Sequence, residues 1–346
     1  MNARLRPYLL VVLLPLVAVA LLWAFVWPAA RTAPRELPLG LVGPDRAVVQ
    51  VEQNLAAHAG PHGFDVHRFA DPAAARTAIE DREVYGAVVL APGGTQVLTA
   101  SAASPAVASL LQQMAHGVPG GATVTDVVPL PQGDPRGGAF ASSVLPMAIA
   151  GLALGAVTFL FGRGVAQRLL MLLLSAAAVG AAVVTVSQGW LGALEGNPAA
   201  NAGVVALLVL AVSSVVCGLA VRLGHKGIGL GALVLMLLGN AWSGVMSAPE
   251  LLPGFASWTG RLLPVGAGAT ALRDAAFFDG HRIGFPLLVL AVWIVAGLSL
   301  TALAARARAH RAESVGTGGV EPAAAAAGDG GDELAVAGRV ALPVRL

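Results

Sequence analysis

The stretch LLPVGAGATALRDAAFFDG, Leu262 to Gly280, decides how this chain is read. Its glycines suggest a phosphate-cradling loop, and its apolar content suggests a membrane span. A phosphate loop needs glycines followed by Lys and then Ser or Thr, so that backbone N–H groups and an ammonium surround the phosphates. No lysine follows Gly266 or Gly268, and the one lysine of the chain, Lys226, precedes a glycine. Pro253, Pro264, Gly266 and Gly268 interrupt any long helix, while Thr270 is a helix cap and Gly280 a helix stop. Ala271 to Asp279 is then only about 13 Å long, under half the hydrocarbon thickness of a bilayer. Steps of about 100° per residue put Thr270, Arg273 and Asp274 on one face and Ala271, Leu272, Ala275 and Ala276 opposite. Two readings follow. One is a short re-entrant or interfacial helix with Arg273 and Asp274 turned toward a polar vestibule or an exported domain; the other is an ordinary outside loop with a surface helix.

The composition around this stretch is that of a membrane protein. The chain is 56% hydrophobic and 12% charged, with a mean hydropathy of +0.76, whereas soluble chains average about 25% charged. A formal charge of +2 leaves no electrostatic footprint for nucleic acid. One cysteine, Cys217, excludes an intrachain disulfide framework and a multi-cysteine metal site.

Six charge-free apolar runs approach the ~20 residues that cross a bilayer as helix. They are Tyr8 to Trp27, Ser142 to Phe161, Leu169 to Gln188, Ala202 to Val221, Gly227 to Ser247 and Phe285 to Ala305. Arg and Lys near span ends are retained in the cytoplasm. Arg4 and Arg6, Arg163 and Arg168, Arg222 and Lys226, and Arg306, Arg308 and Arg311 all fall on one side of this arrangement. The expected topology has both termini cytoplasmic and the chain multi-pass in the plasma membrane. The first run also reads as a signal peptide with small residues after Pro28, but it is longer than the ~7–15 residues of a signal core, which favours an uncleaved anchor.

Residues 35–140 have another texture, with most of the acidic residues and helix caps. Leu39 to Val42 reads as a strand, and Pro44-Asp45 opens a helix closed by Gly60-Pro61. Phe64 to Phe69 is the next strand. Asp71-Pro72 and Ser104-Pro105 pair an N-cap with proline at the first helical position. Tyr85 to Leu90 and Thr95 to Ala100 form a hairpin about Pro92-Gly93-Gly94, and Thr123 to Leu130 is the last strand. The expected organisation is therefore an N-terminal end and anchor (1–34), an extracytoplasmic α/β domain (35–140), a five-helix membrane domain (141–305) with the re-entrant segment near 253–280, and a disordered Ala- and Gly-rich cytoplasmic tail (306–346).

Catalytic patterns are lacking: there is no ATPase, hydrolase or metal-catalytic motif, and no cofactor site is expected. His58, His62 and His67 lack ligand spacing, because Gly60-Pro61 breaks the helix between the first two. The six runs contain no Asp, Glu, His, Lys or Arg, which argues against a proton relay inside the spans. Ser213, Ser214, Asn240 and Ser243 are candidate intramembrane polar contacts between helices, and Gly151 and Gly155 mark close packing.

Three stretches together carry a resemblance: the opening one, REVYGAVV (Arg82 to Val89) and LPQGDPRGGAFASSVLPM (Leu130 to Met147). Their arrangement resembles actinobacterial membrane proteins of the phage-infection-protein branch of type-2 ABC exporter permeases. The resemblance implies a permease without its own ATPase domain, paired as a homodimer with separate cytoplasmic ATPase subunits. It also implies that Pro264 to Phe278 is the re-entrant element before the last span. The alternative is a non-transporting envelope protein whose exported domain binds a surface ligand, partner or phage component.

Overall fold

The computed structural model describes residues 6–118 and 120–317. Helix α1 (Arg6–Ala30) leads into an α/β domain of β1 (Leu37–Val42), α2 (Asp45–Ala59), β2 (Phe64–Phe69), α3 (Pro72–Glu80), β3 (Gly86–Ala91), β4 (Gly94–Thr99), α4 (Pro105–His116) and β5 (Ala122–Asp126). Seven helical segments follow: α5 (Gly138–Phe161), α6 (Val165–Trp190), α7 (Pro198–Leu223), α8 (His225–Ala241), α9 (Gly254–Leu262), α10 (Pro264–Phe277) and α11 (Gly284–Thr317). The expected tail lies mostly outside the described residues, and α11 runs past the expected end of its apolar run at Ala305.

Local caps set the helix starts of the α/β domain. Asp71 Oδ1 accepts the Ala74 N–H at 2.8 Å, Ser104 Oγ accepts that of Val107 at 3.3 Å, and Pro72 and Pro105 follow their caps. The sheet order is β2-β1-β3-β4-β5, parallel except for the β3/β4 hairpin. The last strand stops at Asp126, short of the expected Leu130. Beyond Asp126 the Val127 N–H still bonds the Thr99 carbonyl and the Ala102 N–H the Val128 carbonyl, while the Asp126 carboxylate takes the Ser101 N–H and the Ser101 hydroxyl takes the Leu130 N–H, so side-chain bonds interrupt the regular ladder.

The sheet buries both faces, and each core is closed from outside the domain. Leu37, Leu39, Leu41, Val88 and Val97 pack with α2 and α4 on one face, in a cluster completed by Ala248 and Leu251 from the α8–α9 connection. Ala75, Ala78, Ile79, Ala87, Val89 and Leu98 fill the other, completed by Phe278 at the end of α10.

Among the described residues, four helices are long and apolar enough to cross a membrane: α5, α6, α7 and the part of α11 up to Ala304. Two shorter apolar helices, Leu14–Ala30 within α1 and His225–Ala241, occupy the first and fifth expected runs. The fifth run ends six residues before the expected Ser247. Gly244 there takes a left-handed φ of 68°, and Ser243 Oγ turns back onto the Asn240 carbonyl at 2.9 Å.

Helix α7 is the centre of the bundle: 83% of its most apolar window is buried, against 33%, 22% and 28% for α5, α6 and α11. Glycines on its neighbours let backbones approach. A methyl group at Gly155 would lie 2.6 Å from the Ser213 carbonyl oxygen and 2.8 Å from Val216 Cβ. Gly297 of α11 meets Ser214 and Val215 of α7 in the same way. These contacts are the small-residue packing expected of helices in lipid, where apolar burial supplies little net drive.

Gly155→Ala is accordingly expected to destabilise by about 1–3 kcal/mol through overpacking. Gly203→Ala, on α7 with open space around it, is expected to be neutral or to stabilise by up to ~1 kcal/mol. Thermal unfolding of both variants in one detergent checks the contrast.

Candidate functional site

Helix α10 begins at Pro264, which occupies the first helical position, where a missing N–H costs nothing. The proline opens the helix instead of interrupting it, and Thr270 lies inside it instead of capping it. Gly266 and Gly268 also lie inside. A methyl at Gly266 would come 2.2 Å from the Gly260 carbonyl oxygen of α9, and one at Gly268 would come 2.7 Å from Leu208 of α7. Both glycines therefore serve contact, not helix breaking. The helix is about 21 Å long, still short of the ~30 Å hydrocarbon core.

The polar side of the helix does not face water. Arg273 is 4% exposed and Asp274 0% exposed, and the alanines opposite are buried as well. Protein covers both sides of the helix.

What covers the polar side is the α/β domain. Arg82, in the loop between α3 and β3, adopts a left-handed φ of 58° and points its guanidinium into the membrane domain. Its Nη1 lies 3.3 Å from Asp274 Oδ1 and donates to the Thr270 carbonyl at 3.5 Å, while the group sits 5.6 Å from the Phe278 ring centroid. A non-glycine residue in this region stores about 1–3 kcal/mol, held by its surroundings. Arg273 Nη2 donates to the Val245 carbonyl at 3.0 Å, and its guanidinium stacks over Phe140 at 4.8 Å.

Burial drives the ionisation of this group of residues. It pushes the Asp274 carboxyl above the usual carboxylate range, partly offset by Arg82. It lowers the Arg273 guanidinium to about 10, helped by the like charge of Arg82. The Tyr85 phenol is raised by burial and by Glu250, so it stays neutral and donates to Glu250 Oε2 at 2.7 Å. Arg261 holds the other oxygen of Glu250. Around the rim, Arg282 pairs with Glu83 at 3.3 Å and His281 with Asp81 at 3.5 Å.

All three sequence stretches singled out above therefore meet here. REVYGAVV supplies Arg82 and Tyr85, and the opening stretch supplies Arg273, Asp274 and Phe278. LPQGDPRGGAFASSVLPM supplies Phe140, whose N–H is held by the buried Asp134 carboxylate at 2.8 Å at the start of α5. Sequence reasoning missed Arg82, Tyr85, Glu250 and Arg261 as members. Arg82 sits in the charge run Glu80 to Glu83, a pattern typical of a solvated helix end, and only the left-handed turn at Arg82 sends one of its charges inward.

The intramembrane polar residues do something plainer than expected. Ser213 and Ser214 donate to Leu210 and Ala211 carbonyls three residues back on the same helix, at 3.3 and 3.2 Å, and do not bridge helices. Ser243 lies in the turn after α8 and bonds the carbonyl of Asn240 in the last turn of that helix, so this contact too stays local and does not bridge helices. His58 bonds the Asn54 carbonyl and His67 pairs with Asp65. Among the described residues no three His, Cys, Asp or Glu side chains converge as a metal site.

Comparison with known proteins adds one match. The model of the family described as ABC-2 family transporter protein matches residues 6–130, which run from α1 through β5. This match supports a permease-like membrane subunit of an ABC-type exporter, a membrane transporter component. No curated protein and no solved structure matches the chain.

Removing one partner of a buried pair leaves the other uncompensated, at about 3–5 kcal/mol. Arg82→Ala and Asp274→Ala are each expected to lose that much, and the double variant less than the sum, since the second change removes the stranded charge. The sign with pH follows from the raised carboxyl. Stability from Asp274 is full below its unfolded pKa and is lost as pH rises through the folded one. Arg82→Ala, which removes the offsetting charge, is therefore expected to steepen the loss of stability as pH rises from about 4. Denaturation midpoints across that range check it.

Proposed function

We propose that the chain is the membrane subunit of an ABC-type exporter, embedded in the plasma membrane by six spans and driven by a separate cytoplasmic ATPase. The observation that carries the reading is the family match over α1 and the whole α/β domain, continued by four helices fit to cross a bilayer. Helix α1, at 25 residues, is the first span. Helix α8, about 25 Å long, is a short fifth span that local thinning of the bilayer accommodates. The α/β domain lies outside the cell and both termini lie inside, because Arg163, Arg168, Arg222 and Lys226 gather at the same ends of their helices.

Within this reading the phage-infection-protein branch is the closest description. Helix α10 is the re-entrant element, too short to span and covered by protein on every side. The subunit works as a homodimer. Its membrane helices carry no ionisable group in their apolar runs, so the energy for transport enters from the ATPase.

Two measurements test this. Purified in mild detergent from its own membrane, the chain is expected to bring down an ATPase subunit, and the lone chain to hydrolyse no ATP and move nothing in response to a pH gradient. Proton-coupled transport by the lone chain in vesicles sinks the proposal. For topology, a cysteine at exposed Gln53 in a Cys217→Ser background is expected to label from outside, and one at exposed Ala166 only after permeabilisation. The reverse pattern inverts the orientation.

A further inference from the structure

A cavity of about 260 Å³ lies where the α3–β3 loop, the turn before α9, the end of α9 and the start of α11 meet. Three guanidinium groups line it, from Arg82, Arg261 and Arg282, against the carboxylates of Glu83 and Glu250. Both oxygens of Glu250 are already engaged, by Arg261 and by the Tyr85 phenol. Each arginine uses a single terminal nitrogen: Arg82 Nη1 toward Asp274 and Thr270, Arg261 Nη2 toward Glu250, and Arg282 Nη2 toward Glu83. A guanidinium offers five N–H donors in a planar fork. The Nε and second Nη of all three thus have no hydrogen-bond partner among the described residues. Planar forks with open donors match the oxygens of a phosphate.

The apolar side of the cavity selects among phosphates. Phe285 and Pro286, at the start of α11, form part of its wall. From Phe285 a row of exposed side chains descends one face of that helix: Phe285 at 55%, Leu288 at 60%, Val292 at 59% and Val295 at 63%. On α9, exposed Phe255 and Trp258 lead at three-residue steps to Arg261. A free aqueous anion has no use for either row, whereas an amphiphile uses both walls.

We propose that this cavity binds the phosphate headgroup of an anionic phospholipid from the outer leaflet, with the acyl chains lying along the Phe285–Val295 row. The site rests on the reading that α11 crosses the bilayer with Phe285 at its outer end. The headgroup would fill the open donors of Arg82, Arg261 and Arg282. It would thereby bridge the α/β domain, α9 and α11, so that lipid composition adjusts how firmly the domain seats on the membrane helices.

The test uses the full chain, purified in neutral detergent and depleted of lipid, at fixed ionic strength. Its thermal midpoint is followed during titration with dihexanoyl-phosphatidylglycerol, dihexanoyl-phosphatidylcholine or inorganic phosphate. Phosphatidylglycerol is expected to raise the midpoint saturably, and the other two to leave it unmoved over the same range. The double variant Arg261→Gln/Arg282→Gln is expected to weaken the apparent affinity for phosphatidylglycerol at least tenfold. Both side chains are about half exposed, so the variant should fold, and the wild-type comparison of the two lipids decides the matter even if it does not. Equal response to both lipids, or an unaltered affinity in the double variant, overturns the site. An equal response to inorganic phosphate makes it a free-anion site and overturns the lipid assignment. The lone chain suffices here, so failure of this site is distinct from failure to find an ATPase.

Discussion

A carboxylate with no exposure to solvent, Asp274, and the guanidinium that reaches it from another domain, Arg82, set the condition on which the rest of this structure depends. A lone ionised carboxylate does not survive burial; it is neutralised, or something brings it a charge. Here the charge comes from a loop between a helix and a strand, held in a left-handed conformation that an unconstrained arginine seldom adopts. The α/β domain therefore cannot swing away from α10 without stranding a buried charge. The same junction closes both hydrophobic cores of the domain, through Leu251 on one face of the sheet and Phe278 on the other. Electrostatic and apolar constraints thus coincide, and the domain and the membrane helices behave as one packed body at this junction.

Glycine explains how so much is brought so close. Helix α10 lies against α9 at Gly266 and against α7 at Gly268, and a methyl at Gly260 would collide with the carbonyl of Trp242. In a soluble helix such glycines weaken the element by about 1 kcal/mol each relative to alanine. Between packed helices that loss is offset by backbone contact that no larger residue permits. The result is a short, fully enclosed helix whose interior is held by packing more than by its own propensity.

Local signals were legible in the sequence, and distant ones were not. Asp71-Pro72 and Ser104-Pro105 announce α3 and α4 because a cap and its helix are adjacent in the chain. The apolar runs announce α5, α6, α7 and α11 because composition alone decides them. Arg82 and Thr270, by contrast, are 188 positions apart, and nothing near either one names the other. The periodicity of α10 was read correctly as polar on one side. Its surroundings stayed open between a polar vestibule and the exported domain, because an amphipathic pattern reports what is polar and not whether water or another domain faces it. Gly266 and Gly268 were misread for a similar reason: a glycine that breaks a helix and one that admits a neighbour look alike until the neighbour is known.

These constraints bear on how a transporter of the proposed kind would move. Helix α7 touches α5, α6, α8 and α10, its serine hydroxyls are spent on its own carbonyls, and Asn201 near its start is held by Gln188 and the Glu195 carbonyl, so the serines of its apolar middle offer no partner exchange that would switch it between states. Change has to come from displacement of whole helices around it. Helix α10 is tied to the α/β domain by the buried pair, so a shift of α10 carries the domain along or breaks the pair. Breaking it would expose opposite charges to a low dielectric, at several kcal/mol; moving both together leaves every buried contact intact. The less costly motion is the concerted one, in which the α/β domain follows the short helix, and the exposed rim pairs, worth at most about 1 kcal/mol each, are the ones that rearrange.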